Sequence, residues 1–326
     1  MDFQAVESLV GKALGQGIDV EDALAILRSG DDRLAAILAG ADILRRRQFG
    51  GSVRFCSIVN AKSGGCEQDC AFCAQSLHHR TDAPTYDFLD PDKIIAAAKE
   101  AKAAGATSFS IVTSGGALEP TDIDSAADCV KRIAWLGLLP CASLGVIGET
   151  ELMRLKRAGL RKYHHNLEAA PSKYGDICTT RDFSDNVETV RAAQRVGLEV
   201  CSGGIFGMGE TDEQRVELAA VLRELDIPSI PINFLSPISG TPLEHCSELS
   251  PTDCLRIIVM VRFMMPQAHI LLAGGRERNL GPLQSLLFFA GASGLMVGNY
   301  LTTIGCSPED DRRLAEALGL TIEEGQ

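Results

Sequence analysis

Cys66, Cys70 and Cys73 stand in the run Gly65–Gln75 as a Cys-x3-Cys-x2-Cys triplet, with no fourth cysteine close by. Cysteine thiolates carry iron–sulfur clusters, and three of them hold three corners of a cubane [4Fe–4S] cluster. The fourth iron is then open to a substrate or cofactor. A structural zinc ion wants a fourth ligand and a matching second pair, which this stretch lacks. Phe72, between the last two cysteines, puts an aromatic face beside that open iron. An electron carrier gains by covering every iron, so the missing ligand argues for a cluster that does chemistry.

Positioning three thiolates requires a rigid scaffold, and the pattern after Val53 supplies one. Short apolar runs alternate there with amphipathic segments, and eight runs read as strands: Val53–Val59, Ser108–Val112, Leu139–Leu144, Arg161–Leu167, Leu198–Gly203, Ser229–Phe234, His269–Ala273 and Gly294–Val297. Helix starts punctuate the intervals: Asp90 before Pro91, the capping box Thr211–Gln214, and Ser250 before Pro251. Eight strand–helix units predict an α/β fold, a complete (β/α)8 TIM-type barrel over residues 50–326. An open doubly wound sheet is the rival, but no Gly-x-Gly-x-x-Gly follows the first strand. Residues 1–49 read as a helical cap, from Val6, Leu9, Val10 and Ala13 through Leu34, Ile37 and Leu38 at helical spacing. The triplet lies in the long connection 60–89 after the first strand, at the barrel end where such folds place chemistry.

The strands give the other cysteines a meaning. Cys56, Cys141 and Cys201 fall on strands one, three and five. Alternate strands of a barrel feed one layer of inward side chains, so three thiols can meet there and hold a second iron–sulfur cluster. Leu271 is the nearest match on strand seven. The same pattern also admits three inert buried cysteines. Cys178 sits in a loop as a candidate further ligand; Cys129 and Cys254 fall on helices and read as packing residues.

With these features the chain resembles the radical S-adenosylmethionine (SAM) enzymes and, among them, the biotin synthase family. The triplet marks the superfamily. The narrower resemblance rests on His164–Glu168, Val200–Ile205, Pro231–Asn233, Gly240–Leu243 and Leu301–Thr303, spread over about Arg54 to Leu318. It implies that the triplet cluster cleaves SAM to a radical that activates dethiobiotin, with sulfur drawn from a second cluster. The implied cofactor residues are Phe72, Ser114, Gly115, Asn166, Glu168 and Gly207, and the implied substrate residues Asn166 and Asn233. The common family pattern holds an auxiliary [2Fe–2S] cluster with three cysteines and an arginine. Cys141 and Cys201 match two of those cysteines, while Ser110 stands in place of the third and Leu271 in place of the arginine. Cys56 stands where the common pattern has no cysteine. These departures favour a four-iron second cluster over [2Fe–2S]. The resemblance further implies an electron donor such as flavodoxin or ferredoxin, and a homodimer. Its enzyme rival is a barrel-type radical SAM maturase or mutase without sulfur insertion, which has no use for the strand cysteines.

Composition sets the bounds. Hydrophobic residues make up 45% and charged residues 23% of 326 residues, which is globular rather than disordered. A net charge of −12 leaves no basic excess to neutralise nucleic-acid phosphates. The start of the chain carries no secretory pattern, and no apolar stretch is long enough to span a membrane. Eleven cysteines then predict a reducing, cytoplasmic setting, with thiols that bind metal or stay free.

Overall fold

The computed structural model describes residues 3–246 and 249–324. The first two residues of the expected cap and the last two of the expected barrel unit lie outside this range. Three helices open the chain: α1 (Phe3–Leu14), α2 (Val20–Leu27) and α3 (Leu34–Phe49). There follow β1 (Ser52–Lys62), α4 (Pro91–Ala103), β2 (Ser108–Thr113), α5 (Pro120–Trp135), β3 (Leu139–Ser143), α6 (Glu149–Ala158) and β4 (Lys162–His164). Next come α7 (Pro171–Ile177), α8 (Phe183–Arg195), β5 (Glu199–Cys201), β6 (Gly204–Phe206), α9 (Asp212–Glu224) and β7 (Ser229–Phe234). The chain ends with α10 (Pro251–Met264), β8 (His269–Leu272), α11 (Arg276–Leu280), β9 (Gly294–Met296), α12 (Pro308–Ala317) and β10 (Thr321–Ile322).

All sheet pairings between these strands are parallel, and β9 pairs back onto β1, so the sheet closes. The short β5 and β6 both lie beside β7, joined through Cys201–Ser229 and Gly204–Ile232, and together fill one barrel position. Between them Gly203 approaches β7 so closely that a Cβ would fall 2.0 Å from the Pro231 carbonyl oxygen. No side chain fits there. The result is the eight-position barrel expected from the sequence, with β10 added beside the start of β1.

Helix starts follow the local chemistry. Thr211 Oγ1 accepts from Gln214 N at 3.3 Å while Gln214 Oε1 accepts from Thr211 N at 3.0 Å. Asp90 Oδ1 accepts from Asp92 N at 2.8 Å, with Pro91 opening α4. Each side-chain oxygen satisfies an amide that the helix itself leaves unpaired. Helix α10 is buried along most of its length because α1, α2 and α3 pack over it. Arg262 in this helix is fully buried and donates to the carbonyls of Gly291, Pro266 and Ala268 at 2.7 to 2.9 Å, beneath the Phe49 ring. Among the described residues no helix is long and apolar enough to cross a membrane.

Candidate active site

The triplet loop leaves β1 and is tied down by backbone and amide contacts. Cys66 N donates to the Gln75 carbonyl at 3.0 Å, Cys73 N to the Cys70 carbonyl at 2.9 Å, and Leu77 N to the Cys66 carbonyl at 2.8 Å. Gln75 is buried, and its side-chain oxygen accepts from Ser63 Oγ at 2.9 Å and Gly64 N at 3.2 Å. From the far side, the turn after α7 clamps the loop. Ala71 N donates to the Ile177 carbonyl at 2.8 Å, and Asp69 Oδ1 accepts from Thr179 N at 2.9 Å.

These contacts turn Cys66, Cys70 and Cys73 toward one cavity of about 900 Å3 that runs down the barrel lumen. Burial, then the neighbouring Cys178, Glu168 and Cys73, push the Cys70 thiol far above its ordinary value. Burial also pushes Cys73 up to about 11, with Cys66 and Glu168 adding to the shift. Thiols so placed stay protonated in the metal-free protein, and iron must displace those protons on binding. Among the described residues no three His, Cys, Asp or Glu side chains are grouped to hold a single metal ion. A cubane makes a different demand, since each thiolate binds a different iron at a different corner.

Phe72, Ser114, Gly115, Asn166, Glu168 and Asn233 all line the same cavity. Ser114 Oγ donates to the Gly64 carbonyl at 2.7 Å, stitching the loop after β2 to the triplet loop. Strand β4 ends at His164, three residues earlier than expected, so Asn166 and Glu168 lie beyond it rather than on its face. Glu168 itself takes φ 65, a left-handed backbone that is unusual outside glycine. Its side chain still meets Asn166, whose Nδ2 donates to Glu168 Oε2 at 3.2 Å, while Asn166 Oδ1 accepts from Gly203 N at 3.1 Å. Burial raises the Glu168 pKa against the opposing effects of His164, Asn166 and Arg181. His165 points away from its neighbour His164 and meets Asn186 at 3.0 Å.

Two placements differ from the sequence reading. Gly207 is not brought to the cavity. Its N–H is taken by the Glu210 carboxylate at 2.9 Å, and its α-carbon faces Leu249 and Leu235. Asn233 reaches the cavity, but its amide is already engaged: Nδ2 donates to the Gly204 carbonyl at 3.3 Å and Oδ1 accepts from Gly274 N at 2.9 Å. Nearby, Arg276 is buried against Asp311 of α12 at 2.7 Å, outside the cavity.

Below the triplet the lumen is lined by Cys56, Ser108, Ser110, Cys141, Cys201 and Ser229. Barrels usually fill this space with bulky branched side chains. Here the small residues leave it open. Cys56 hydrogen-bonds Ser108 Oγ, and Ser110 and Thr113 carry buried hydroxyls with no partner. Burial raises all three thiol pKa values, that of Cys141 most clearly, and the charge of Lys162 opposes the rise in each. Cys178 belongs to the triplet side instead, buried beside Cys70 with its thiol 3.6 Å from Thr180 Oγ1. Lys162 had no place in the sequence reading. The sequence gives no signal for it, because Arg161–Leu167 is mostly polar and one more cation there does not stand out.

The chain is similar to known proteins both in sequence and in fold. Residues 61–222 match the radical SAM superfamily model, and residues 231–321 match the Biotin and Thiamin Synthesis associated domain. The biotin synthase of Geobacter sulfurreducens is 49% identical over 322 residues, covering 98% of both chains. That of Anaeromyxobacter sp. is 49% identical, covering 94% of this chain and 84% of the relative. Among solved structures, methylornithine synthase (PylB) superposes with a TM-score of 0.85 at 19% identity, over 97% of this chain and 98% of that one. The hydrogenase maturase HydG from Carboxydothermus hydrogenoformans gives a TM-score of 0.82 at 14% identity, over 98% and 79%. At such identities the structures speak for the fold alone. The near full-length sequence relatives carry more: this chain belongs to the biotin synthase family of radical SAM, sulfur-inserting enzymes, with SAM and a [4Fe–4S] cluster as its cofactors and dethiobiotin as its substrate.

Proposed function

We propose that the sulfur inserted into dethiobiotin comes from a second, four-iron cluster held by Cys56, Cys141 and Cys201, directly below the radical-generating triplet of Cys66, Cys70 and Cys73. One observation carries this reading: three thiols from alternate barrel positions face a lumen left open by serines and cysteines. The unpaired hydroxyls of Ser110 and Thr113 fit the same account, since buried polar groups without partners are uncommon and await a ligand. A [2Fe–2S] cluster wants two protein ligands on each iron. Leu271 offers none, and Cys178 is on the triplet side.

When bound, the triplet cluster and SAM supply the 5′-deoxyadenosyl radical that takes hydrogen from an unactivated carbon. The chain's own residues hold the reactants in place. Glu168 presents a carboxylate suited to two vicinal hydroxyls of the SAM ribose, and Asn166 orients it through their mutual hydrogen bond. Ser114 and Gly115 form the wall toward the amino end of SAM, and Phe72 flanks the open iron. Asn233 fixes the strand ends around the substrate and has one N–H left for a urea-like ring. A one-electron donor such as flavodoxin or ferredoxin and a homodimeric assembly complete the reading by family likeness.

The test removes the triplet by changing Cys66, Cys70 and Cys73 together to Ala. After anaerobic reconstitution with iron and sulfide, about four irons should remain per chain, with the Mössbauer spectrum of a cubane. Adding Cys56→Ala should remove most of that iron. A triple variant that binds none places the sulfur source elsewhere.

A further inference from the structure

Lys162 is 8% exposed, although lysine is almost never buried without a specific partner. Its side chain enters the lumen from β4. There Nζ donates to Glu199 Oε1 at 2.8 Å and to Ser229 Oγ at 3.3 Å. The register sets Lys162 beside Cys141 on one flank, and Ser229 beside Cys201. The lysine therefore spans the space between two of the three lumen thiols. Glu199 is the more open partner, with its side chain 39% exposed against 10% for Lys162, and it lines the lower mouth of the lumen. The pair is thus a dipole whose positive end is turned inward to sulfur and whose negative end is turned toward solvent.

We propose that Lys162 is a positioning residue for the second cluster, its ammonium facing the sulfur held by Cys56, Cys141 and Cys201 and offsetting that cluster's negative charge. This rests on the second-cluster reading above. A four-iron cluster on three thiolates is anionic, more so when reduced and more so with an extra sulfide. A charge buried in a low-dielectric lumen needs a counter-charge. Among the described residues that line this layer, Lys162 is the one cation within hydrogen-bond reach of Ser229, the serine paired in register with Cys201. An ammonium carries three N–H donors. Glu199 and Ser229 take two, which leaves one for a cluster sulfur. Cluster potentials respond to net charge and to hydrogen bonds on sulfur, and reduction adds negative charge. A nearby fixed cation therefore stabilises the reduced form more than the oxidised form.

The experiment uses the full chain with Cys66, Cys70 and Cys73 changed to Ala, reconstituted with iron and sulfide, so that one cluster is observed. Its midpoint potential is titrated, and its Mössbauer spectrum recorded, with Lys162 intact and as Lys162→Met and Lys162→Arg. We expect Lys162→Met to shift the potential to more negative values at similar iron content, and Lys162→Arg to restore most of the shift. Glu199→Gln removes the counter-charge but keeps the lysine, and should shift the potential the opposite way. That arm decides the question if Lys162→Met fails to fold by circular dichroism. Iron bound in full, with a potential unmoved by Lys162→Met or by Glu199→Gln, overturns the role of Lys162 and leaves the second cluster standing. A triplet-free background that takes up no iron overturns both.

Discussion

At the scale of single residues, the site is built from groups whose protonation and hydrogen bonds are set by burial. Cys70 is the sharpest case. It sits in the middle of the triplet, and its thiol touches the Glu168 and Cys178 environment. Cys70→Ala should abolish 5′-deoxyadenosine formation with dithionite as reductant while circular dichroism stays unchanged. Product near the unaltered level would mean that the triplet does not generate the radical. Asn233 makes a different kind of prediction, because its amide joins the Gly204 carbonyl to the Gly274 N–H. Asn233→Ala leaves those two backbone groups unpaired, at about 1–3 kcal/mol of stability. Urea unfolding of the metal-free protein should register this, together with weaker dethiobiotin binding by calorimetry. A loss of binding with no loss of stability would mean that the amide serves the substrate alone. The triplet is legible in the sequence as a candidate because its residue type and spacing name a chemistry. Lys162 is not, because its meaning comes from which side chains cross the lumen to meet it.

At the scale of elements, all eight barrel positions fall on runs that the sequence marks as strands, and Ser229–Phe234 matches its strand end to end. The departures share a cause. Around the site, ligand-facing geometry overrides the strand pattern: β4 stops at His164, Glu168 turns left-handed, and Gly203 separates β5 from β6. The Gly203–Gly209 run illustrates the limit of motif reading. The resemblance implies a cofactor role for Gly207, yet Gly207 is held by Glu210, which Arg215 in turn anchors at 2.8 Å. The helical cap is legible as helices but not as a partner of α10, since that contact depends on residues far apart in sequence. Gly40 marks it. A Cβ there would come within 2.6 Å of Val6 Cγ1 and 2.8 Å of Phe263 Cζ, both in buried side chains. Gly40→Val should therefore cost about 1–3 kcal/mol by overpacking. An unchanged urea midpoint would show that the α1–α3–α10 contact yields without penalty.

At the scale of the whole molecule, the open lumen and its surroundings hold one buried histidine, His165, and two half-buried ones, His164 and His269, in neutral form. Burial lowers His164 and His165 to about 4 and His269 to about 3, from an ordinary 6.5. As pH falls below 6.5 the unfolded chain takes up protons that the native protein refuses, so stability is lost between about pH 6.5 and 4 and retained above it. Each histidine contributes a slope of about 1.4 kcal/mol per pH unit inside that window. His165→Gln, which can still meet Asn186, should flatten the acid limb of a urea-unfolding profile by about one proton. An unchanged slope would mean that His165 titrates in the native state.

The origin of the inserted sulfur is tested most directly by single-turnover chemistry of Cys56→Ala. Its triplet is intact, so reduced protein with SAM and dethiobiotin should still form 5′-deoxyadenosine. With a ligand of the lumen cluster gone, that radical chemistry should yield little or no biotin. Biotin formed in step with 5′-deoxyadenosine, as in the unaltered protein, would contradict a sulfur-donating cluster held by Cys56, Cys141 and Cys201.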